Sequence, residues 1–523
     1  MLKPRILVCG DTSTGNTGLG RYKRDLLNGL NEAGRFQIAE FAHAGTIKDK
    51  HKVPWQYYPI APDPLNPKEN EEYSKNSENA HGKWRYEKCL LHFKPHIVIT
   101  PLDPWQMTCQ AYSPLKPFYH LISSPTVDSA PAIPEYLDLF NQADTLITYS
   151  EFGFQTINSL KVANCISMGV DETIFVPVQN KKLHKQSMGL PADSIIFGFV
   201  ARNNPRKRFP ELLDAFKIFL EKNPDKANNS FLCLHTTHPD KCWDFAAMLA
   251  DKELYHKVYF SYKCTKTNKV FVSLFKDKVA ESPYGPAGNV DGRIINTHNI
   301  HITDDQLCRI YNLFDLYVHA ATNEGFGVPI IEAAACNIPI AYIPYSAMEE
   351  LGSKMGGIRI PFELTMNYST KANVAYVNPV HLYDAMQRFI NNPISVNSRK
   401  TIKTEYTTKL FVERWISLID SINIEDLWSA PYRKVPETKL GSNNTFSEII
   451  SLINKPFKYR WGWKSLKELK GLNLGIHPSK NGWMVTTPEV IVNRKTQEYT
   501  EFDQWEKIRL GINELKEEEW MKR

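Results

Sequence analysis

Short apolar runs alternate with helical patterns through the first third of the chain. "RILVCG" is followed by "GLGRYKRDLLNGL", in which Leu19, Tyr22, Leu26, Leu27 and Leu30 fall on one helix face. Further strands are predicted at "HIVIT" (His96–Thr100), "FYHLI" (Phe118–Ile122) and "DTLITYS" (Asp144–Ser150). Strand, helix and strand in this rhythm predict a parallel sheet. From about Lys48 to Arg85 the texture changes to prolines, asparagines and aromatics, which reads as a long loop or insertion.

"GVDETIFVPVQNKKLHKQSMGLPAD" (Gly169–Asp193) breaks the alternation and marks a domain boundary. A second alternating block follows: "SIIFGFVAR", "FPELLDAFKIFL", "SFLCLHTT", "DQLCRIYNLF", "DLYVHAAT", "PIIEAAAC" and "IPIAYI". Phe209, Leu212, Leu213, Phe216 and Leu220 give one helix face, and Thr303 with Gln306 has the spacing of a capping box. Ser261–Asn299 reads as an insertion in this block. The pattern predicts an α/β chain with two doubly wound, Rossmann-like domains, 1–175 and 194–400. A helical segment, 401–427, and an extension of unknown role, 428–523, complete it.

The bulk numbers fit this division. At 523 residues the chain is too long for one ordinary core. Hydrophobic content of 42% and charged content of 23% suit a soluble globular protein. A net charge of +6, spread through the chain, makes no demand for nucleic acid and supports only a weak pull toward phosphate-bearing ligands. Nine scattered cysteines without a C-x-x-C pair predict reduced thiols and a cytoplasmic setting. No run approaches the ~20 apolar residues of a membrane helix, which leaves peripheral membrane contact open.

Four stretches carry candidate chemistry. In "ATNEGFGVPIIEAAACNIPIA" (Ala321–Ala341), Gly325 and Gly327 fall in a strand-to-helix turn with Pro329 in the helix's first turn. Such a turn offers free backbone N–H groups to a diphosphate or a sugar edge, and Glu324 and Glu332 would border the same cleft. The plainer reading is a helix start with a favourable acid nearby. In "FGFVARNNPRKRFPELLDAF", Arg202 closes a strand and Lys207 precedes a helix, so both could clamp a diphosphate or simply form a solvated basic loop. "GDTSTGNTGLGRY" places Gly18 and Gly20 ahead of a helix, where an anion or sugar could approach. It also resembles the glycine pattern of nicotinamide-binding folds, with Glu40 at the distance of a ribose contact, although its glycines come late after the strand. His120 stands at a strand end, as a structural or a functional residue. No two aspartates stand two apart and no His/Cys cluster has metal spacing, so no metal is expected.

Together these pieces resemble the GT-B retaining glycosyltransferases of family 4. "NEGFGVPIIEAAACNIPIA" is similar to that family's E-G-F-G-x-P-x-x-E-A-x-A-C-G-x-P-V block, and "VARNNPRKRFPELLDAF" to the segment with its diphosphate Arg and Lys. "MGVDETIFVP", "ADTLITYSEF", "TGLGRYKRDLL" and the lead-in "RIYNLFDLYVHAAT" follow in family fashion, and the likeness covers roughly 6–422. Departures are Arg208 and Asn337 where the family has glycines, Thr17 in the N-terminal loop, and "PYSAMEEL" where Glu349 or Glu350 could match a conserved Glu. Asn is the residue best suited to replace Gly in a left-handed cap.

The resemblance implies roles, with the acceptor on the first domain, 1–175, and the nucleotide-sugar donor on the second, 194–400. Glu332 would hold the donor ribose, and Glu324 with the backbone of Gly325, Phe326 and Gly327 the donor sugar. Arg202 and Lys207 would stabilise the diphosphate, Gly18 and Gly20 would let the N-terminal loop approach it, and His120 would sit near the reacting sugar. The implied activity is metal-independent hexosyl transfer, with retention, from a nucleotide diphosphate sugar to a glycan, lipid-linked or protein-linked acceptor, needing no cofactor. The competing readings are a non-catalytic nucleotide-sugar or carbohydrate-binding protein on the same scaffold, and an NAD(P)-dependent oxidoreductase using the first glycine loop. The aromatics of "PLDPWQM" (Pro101–Met107), Trp55–Tyr58 and Trp84–Tyr86 could face a sugar ring or serve as packing residues, and the extension with Trp461, Trp463 and Trp483 could pack on either domain, recruit a partner or bind glycan.

Overall fold

Seven strands from the first part of the chain form one parallel sheet. They are β1 (Arg5–Asp11), β2 (Gln37–His43), β3 (Gln56–Pro59), β4 (Ile97–Leu102), β5 (His120–Pro125), β6 (Thr145–Thr148) and β7 (Val162–Cys165), in spatial order 3-2-1-4-5-6-7. A second sheet holds β8 (Ile195–Val200), β9 (Ser230–His235), β10 (Val258–Lys263), β11 (Val270–Leu274), β12 (Leu316–His319), β13 (Ile340–Tyr342) and β14 (Ile358–Arg359), in order 11-10-9-8-12-13-14. Only the edge strand β11 runs antiparallel to its neighbour. The computed structural model describes residues 3–427 except 16, 114, 161, 239–241, 265–266, 276–280, 283–284, 287–301, 369, 395 and 426. Beyond 427 it describes only 457–459, 462–464, 475–479 and 482–486, two short antiparallel strand pairs.

The central strands read as unbroken apolar runs because helices cover both faces of each sheet. Ile6, Leu7, Val8 and Cys9 of β1 are fully buried, as are Ile97, Val98 and Ile99 of β4 beside them. Helix α1 (Gly18–Glu32) turns Tyr22, Leu26, Leu27 and Leu30 onto the first sheet. Helix α2 (Phe209–Lys222) does the same for the second sheet with Phe209, Leu212, Leu213 and Phe216. Burying each such side chain stabilises the fold by ~1.5–3 kcal/mol. The capping box of α3 (Asp304–Tyr311) forms in both directions, Gln306 N donating to Thr303 Oγ1 at 3.2 Å and Thr303 N to Gln306 Oε1 at 3.1 Å. Asn337 follows α4 (Val328–Ala335) with φ +57°, and its N–H donates to Ala334 O, so it closes that helix as glycine would.

The stretch from Lys48 to Arg85 is not a plain loop. It supplies the edge strand β3, a helix at Pro67–Ser74 and two short 3-10 turns. Trp55, Tyr57, Tyr58, Trp84 and Tyr86 in and beside it are core residues, each at most 9% exposed. Prolines and asparagines flanking a four-residue strand concealed its period. Within Ser261–Asn299, Val270–Leu274 extends the second sheet, while 287–299 lie outside the described residues. Most of the extension 428–523, Trp461 included, also lies outside them, as do the side chains of Trp463 and Trp483. Among the described residues no helix is long and apolar enough to cross a membrane.

The chain passes between the two sheets twice. The outward crossing follows β7, and the return runs through α5 (Ser398–Glu405) into α6 (Thr408–Asp420), which packs on α1. Trp415 Nε1 donates to Tyr22 Oη at 2.9 Å there, with both side chains buried. The two crossings are bonded side by side: Val170 N donates to Tyr406 O at 2.8 Å and Thr408 N to Val170 O at 3.1 Å. A Cβ on Gly169 would lie 2.6 Å from Thr408 Cα, so the crossings meet backbone to backbone.

Candidate functional site

The carboxyl ends of the parallel strands face a cleft between the domains, the usual ligand crevice of doubly wound sheets. Across it, α4 starts at Gly327, whose φ of +104° suits glycine, and Pro329 occupies the helix's first turn. A Cβ on Gly325 would lie 2.4 Å from Thr126 Cγ2 of the first domain, just past the end of β5. Only glycine permits this approach. Phe326 is 2% exposed and packs against Tyr406, which makes its ring a structural anchor.

Glu324, itself buried, sits at the centre of a charge cluster. Its carboxylate pairs with Lys207 and, at 2.8 Å, with Arg206, and His319 Nε2 lies 3.3 Å away. Arg206 also donates to Asn323 O at 2.6 Å. Burial works to raise the Glu324 pKa, but the Arg206 and Lys207 cations outweigh it and hold the carboxyl well below its usual range. Burial first, and then Arg206, push the Lys207 ammonium down to about 8, against the pull of Glu324. The spacing of Lys207 is achieved by a turn in which Arg208 takes φ +51°, a left-handed conformation that favours glycine, at a cost of ~1–2 kcal/mol.

Glu332 is 1% exposed in the second turn of α4. One oxygen pairs with Arg21 of α1, and the other accepts from Tyr311 Oη at 2.6 Å. Arg21 also reaches Asp304 at 3.5 Å. Burial raises the Glu332 pKa and Arg21 offsets this only in part. Arg21 stands directly after Gly20, and the loop glycines lie inside the helix's first turn rather than ahead of it. A Cβ on Gly20 would come within 2.8 Å of Thr12 O, whereas Gly18 faces open space.

The structure thus brings Lys207, Glu324, Gly325, Gly327 and Glu332 to one cleft, with the α1 N-terminus opposite. Arg202 lies two residues past β8 on the same edge and is exposed. His120 does not join them. It is the first residue of β5, opposite Ile97, and its ring bonds Thr145 Oγ1 at 2.7 Å. At ~3.3 Å per strand residue it is roughly 20 Å from Thr126 at the cleft edge. The strand begins two residues later than its apolar pattern suggests, so the histidine marks the start, not the exit. Glu40 is also no ligand residue: fully buried, it accepts from Ser13 N, Ser13 Oγ and Trp55 Nε1 at 2.6–2.8 Å and pairs with Lys23 at 3.0 Å. Both carboxylate oxygens are engaged inside the first domain, so Glu40 acts as a structural residue there and gives the nicotinamide reading no support. Of the glutamate pair in "PYSAMEEL", Glu350 crosses to the first domain, accepting from Glu151 N at 2.7 Å, while Glu349 stays on Arg359.

Sequence reasoning passed over Arg206, Arg21, Tyr311 and His319. The run Pro205–Arg206–Lys207–Arg208 signalled surplus charge, but nothing in it told which cation turns inward. The Arg206 cation also feels Asp128 and Asp103 of the first domain across the cleft.

No family profile matches the chain, and no curated protein does. Solved structures do resemble it. Sucrose-phosphate synthase from Thermosynechococcus elongatus superposes with a TM-score of 0.56 at 15% identity, covering 80% of this chain and 98% of its own. Anabaena HepE in complex with UDP and glucose gives 0.54 at 14%, covering 80% and 99%. A glycosyltransferase from Rickettsia africae gives 0.52 at 13%, covering 82% and 99%. At these identities the likeness is one of fold: the chain has the GT-B architecture of two Rossmann-like domains facing a cleft.

Proposed function

We propose that this chain is a glycosyltransferase that moves a hexosyl group from a nucleotide diphosphate sugar to a hydroxyl acceptor, with retention at the anomeric carbon and without a metal ion. The observation that carries the reading is the cluster of Lys207, Arg206 and Glu324 beside the N-terminus of α4, with Glu332 eight residues beyond Glu324 on the same cleft. The resemblance in fold to UDP-bound and sugar-bound proteins supports it.

In this reading the donor diphosphate takes Lys207 and Arg206 from Glu324, with Arg202 at the rim. Glu324 is then released to accept hydrogen bonds from sugar hydroxyls, each charge-assisted bond contributing ~1.5–3 kcal/mol. Glu332 exchanges Arg21 for the ribose hydroxyls while Tyr311 keeps its carboxylate oriented. As the C1–O bond breaks, charge accumulates on the leaving diphosphate, where the cations act most strongly. The acceptor oxygen bonds to C1 on the same face, and its proton passes to the departing phosphate oxygen. Closure of the domains excludes water. Glycans, glycolipids and protein-linked sugars are the acceptor classes considered.

The test is a screen of UDP-, GDP- and ADP-sugars with mixed acceptors, read by product mass spectrometry and by NMR of the anomeric configuration. A product carrying one added hexose with the donor's configuration is expected. Donor binding without turnover across the screen would favour the non-catalytic reading, and an inverted product would remove the same-face step.

A further inference from the structure

Among the described residues of the first domain, Trp105 is the most exposed large aromatic, at the carboxyl edge of the sheet. Trp55, Tyr57, Tyr58, Trp84 and Tyr86 are in the core, but Trp105 is 54% exposed. It lies in the short turn Pro104–Gln106, directly after β4 and one turn from Asp103. The His81 ring stands edge-on to it, with centroids 5.0 Å apart and planes at 80°. The two rings border a small, partly open depression at the surface, whose other walls include Glu78, Lys83, Gln106 and Thr108. Glu78 and Lys83 pair at the surface and give it a polar rim.

Behind His81, its ring centroid 6.2 Å away, lies His43 at the end of β2. His43 is 3% exposed, and neither of its ring nitrogens has a hydrogen-bond partner among the described residues. A buried imidazole with both nitrogens unmatched costs stability unless something else meets it. Burial, with the Glu78 charge opposing, keeps His81 below its ordinary pKa, so near neutral pH its ring has one donor and one acceptor nitrogen. The surrounding edge is negative: Asp11 ends β1, Asp103 follows β4 and Asp128 follows β5. Asp103 feels both of the others.

We propose that this depression is the acceptor subsite and that it takes an uncharged pyranose, stacked by its apolar face on Trp105 and hydrogen-bonded by its hydroxyls to His81 and the Glu78–Lys83 rim. An exposed indole beside polar groups of both signs suits the two-faced surface of a sugar ring. The acidic edge disfavours sugar phosphates and uronates. The acceptor assignment rests on the transferase reading, whereas the saccharide site itself does not.

The experiment is ligand-observed NMR on the full chain without donor, using methyl α-glucoside, methyl α-galactoside, methyl α-mannoside and maltose, with glucose 6-phosphate for comparison. At least one neutral saccharide should bind, and Trp105→Ala should weaken it by about 10-fold or more. Trp105→Tyr, which keeps a ring, should retain most of the binding, and glucose 6-phosphate should bind more weakly than its neutral partner. The inference is overturned if no neutral saccharide binds at about 10 mM, if Trp105→Ala binds as the parent does, or if the phosphate is preferred. Saccharide binding in a chain that transfers nothing in the donor screen would sink the transferase reading and leave the saccharide site standing.

Discussion

Arg21 of the first domain and Glu332 of the second form an ion pair across the cleft, and Tyr311 Oη holds the remaining carboxylate oxygen at 2.6 Å. The same carboxylate is the proposed ribose ligand, so domain contact and donor recognition draw on one group. Removing Arg21 strands a nearly buried carboxylate. Arg21→Met is therefore expected to cost about 3 kcal/mol, the lower end of the buried-pair range because Arg21 is itself 17% exposed. In the double variant with Glu332→Gln, the two losses should fall short of additive by about 1 kcal/mol or more in chemical denaturation. Additive losses would mean that the pair carries no coupling.

Glu332→Ala is expected to raise donor KM by about 10-fold or more, with a smaller effect on kcat. An unchanged donor KM in steady-state kinetics would remove the ribose role.

Lys207 gives the pH dependence a sign. Its ammonium must be charged to meet a leaving diphosphate, and burial with Arg206 lowers its pKa to about 8. The charged form is lost as pH rises through that value. kcat/KM, which reports the free enzyme, should therefore fall on the alkaline side with a midpoint near 8. Lys207→Arg should carry activity to higher pH, because a guanidinium stays charged. Lys207→Ala should lower kcat by about 100-fold or more. A pH profile identical in parent and Lys207→Arg would assign the alkaline limb elsewhere.

His120→Ala should leave kcat and both KM values within about twofold and cost ~0.5–1.5 kcal/mol through the lost bond to Thr145. A large loss of kcat at full stability would place the histidine in the chemistry after all.

Gly325→Ala sets a methyl 2.4 Å from Thr126 Cγ2 and should hold the domains apart, lowering kcat by about 10-fold or more. Thr126→Ser removes that methyl and should restore much of the loss in the double variant. Failure of the rescue would point to a local effect on the α4 turn.

Much of this was legible in the sequence because its strongest signals are local. Apolar runs and helical periods gave both sheets, Thr303 with Gln306 gave a cap, and Asn337 in place of glycine read as a left-handed closure. What escaped was decided by long-range geometry. His120 was misplaced because β5 starts at it and runs on to Pro125, so the histidine stands at the entry of the strand and the cleft edge lies six residues, roughly 20 Å, further on. Arg206 and Lys207 are adjacent and alike in charge, and only the fold shows that both turn toward Glu324. Arg21 meets Glu332 across 311 residues, a distance over which a single sequence holds no pairing signal.

The paired crossings at Val170 and Tyr406–Thr408 have a mechanical consequence. One tether would leave each half free to swivel, slide and tilt. Two tethers laced together by main-chain bonds act as a pintle, and only rotation about their common line is cheap. If the proposed transfer requires the cleft to open, the halves would turn about this doubled strap, and the close approach of Gly325 to Thr126 would be released as they part.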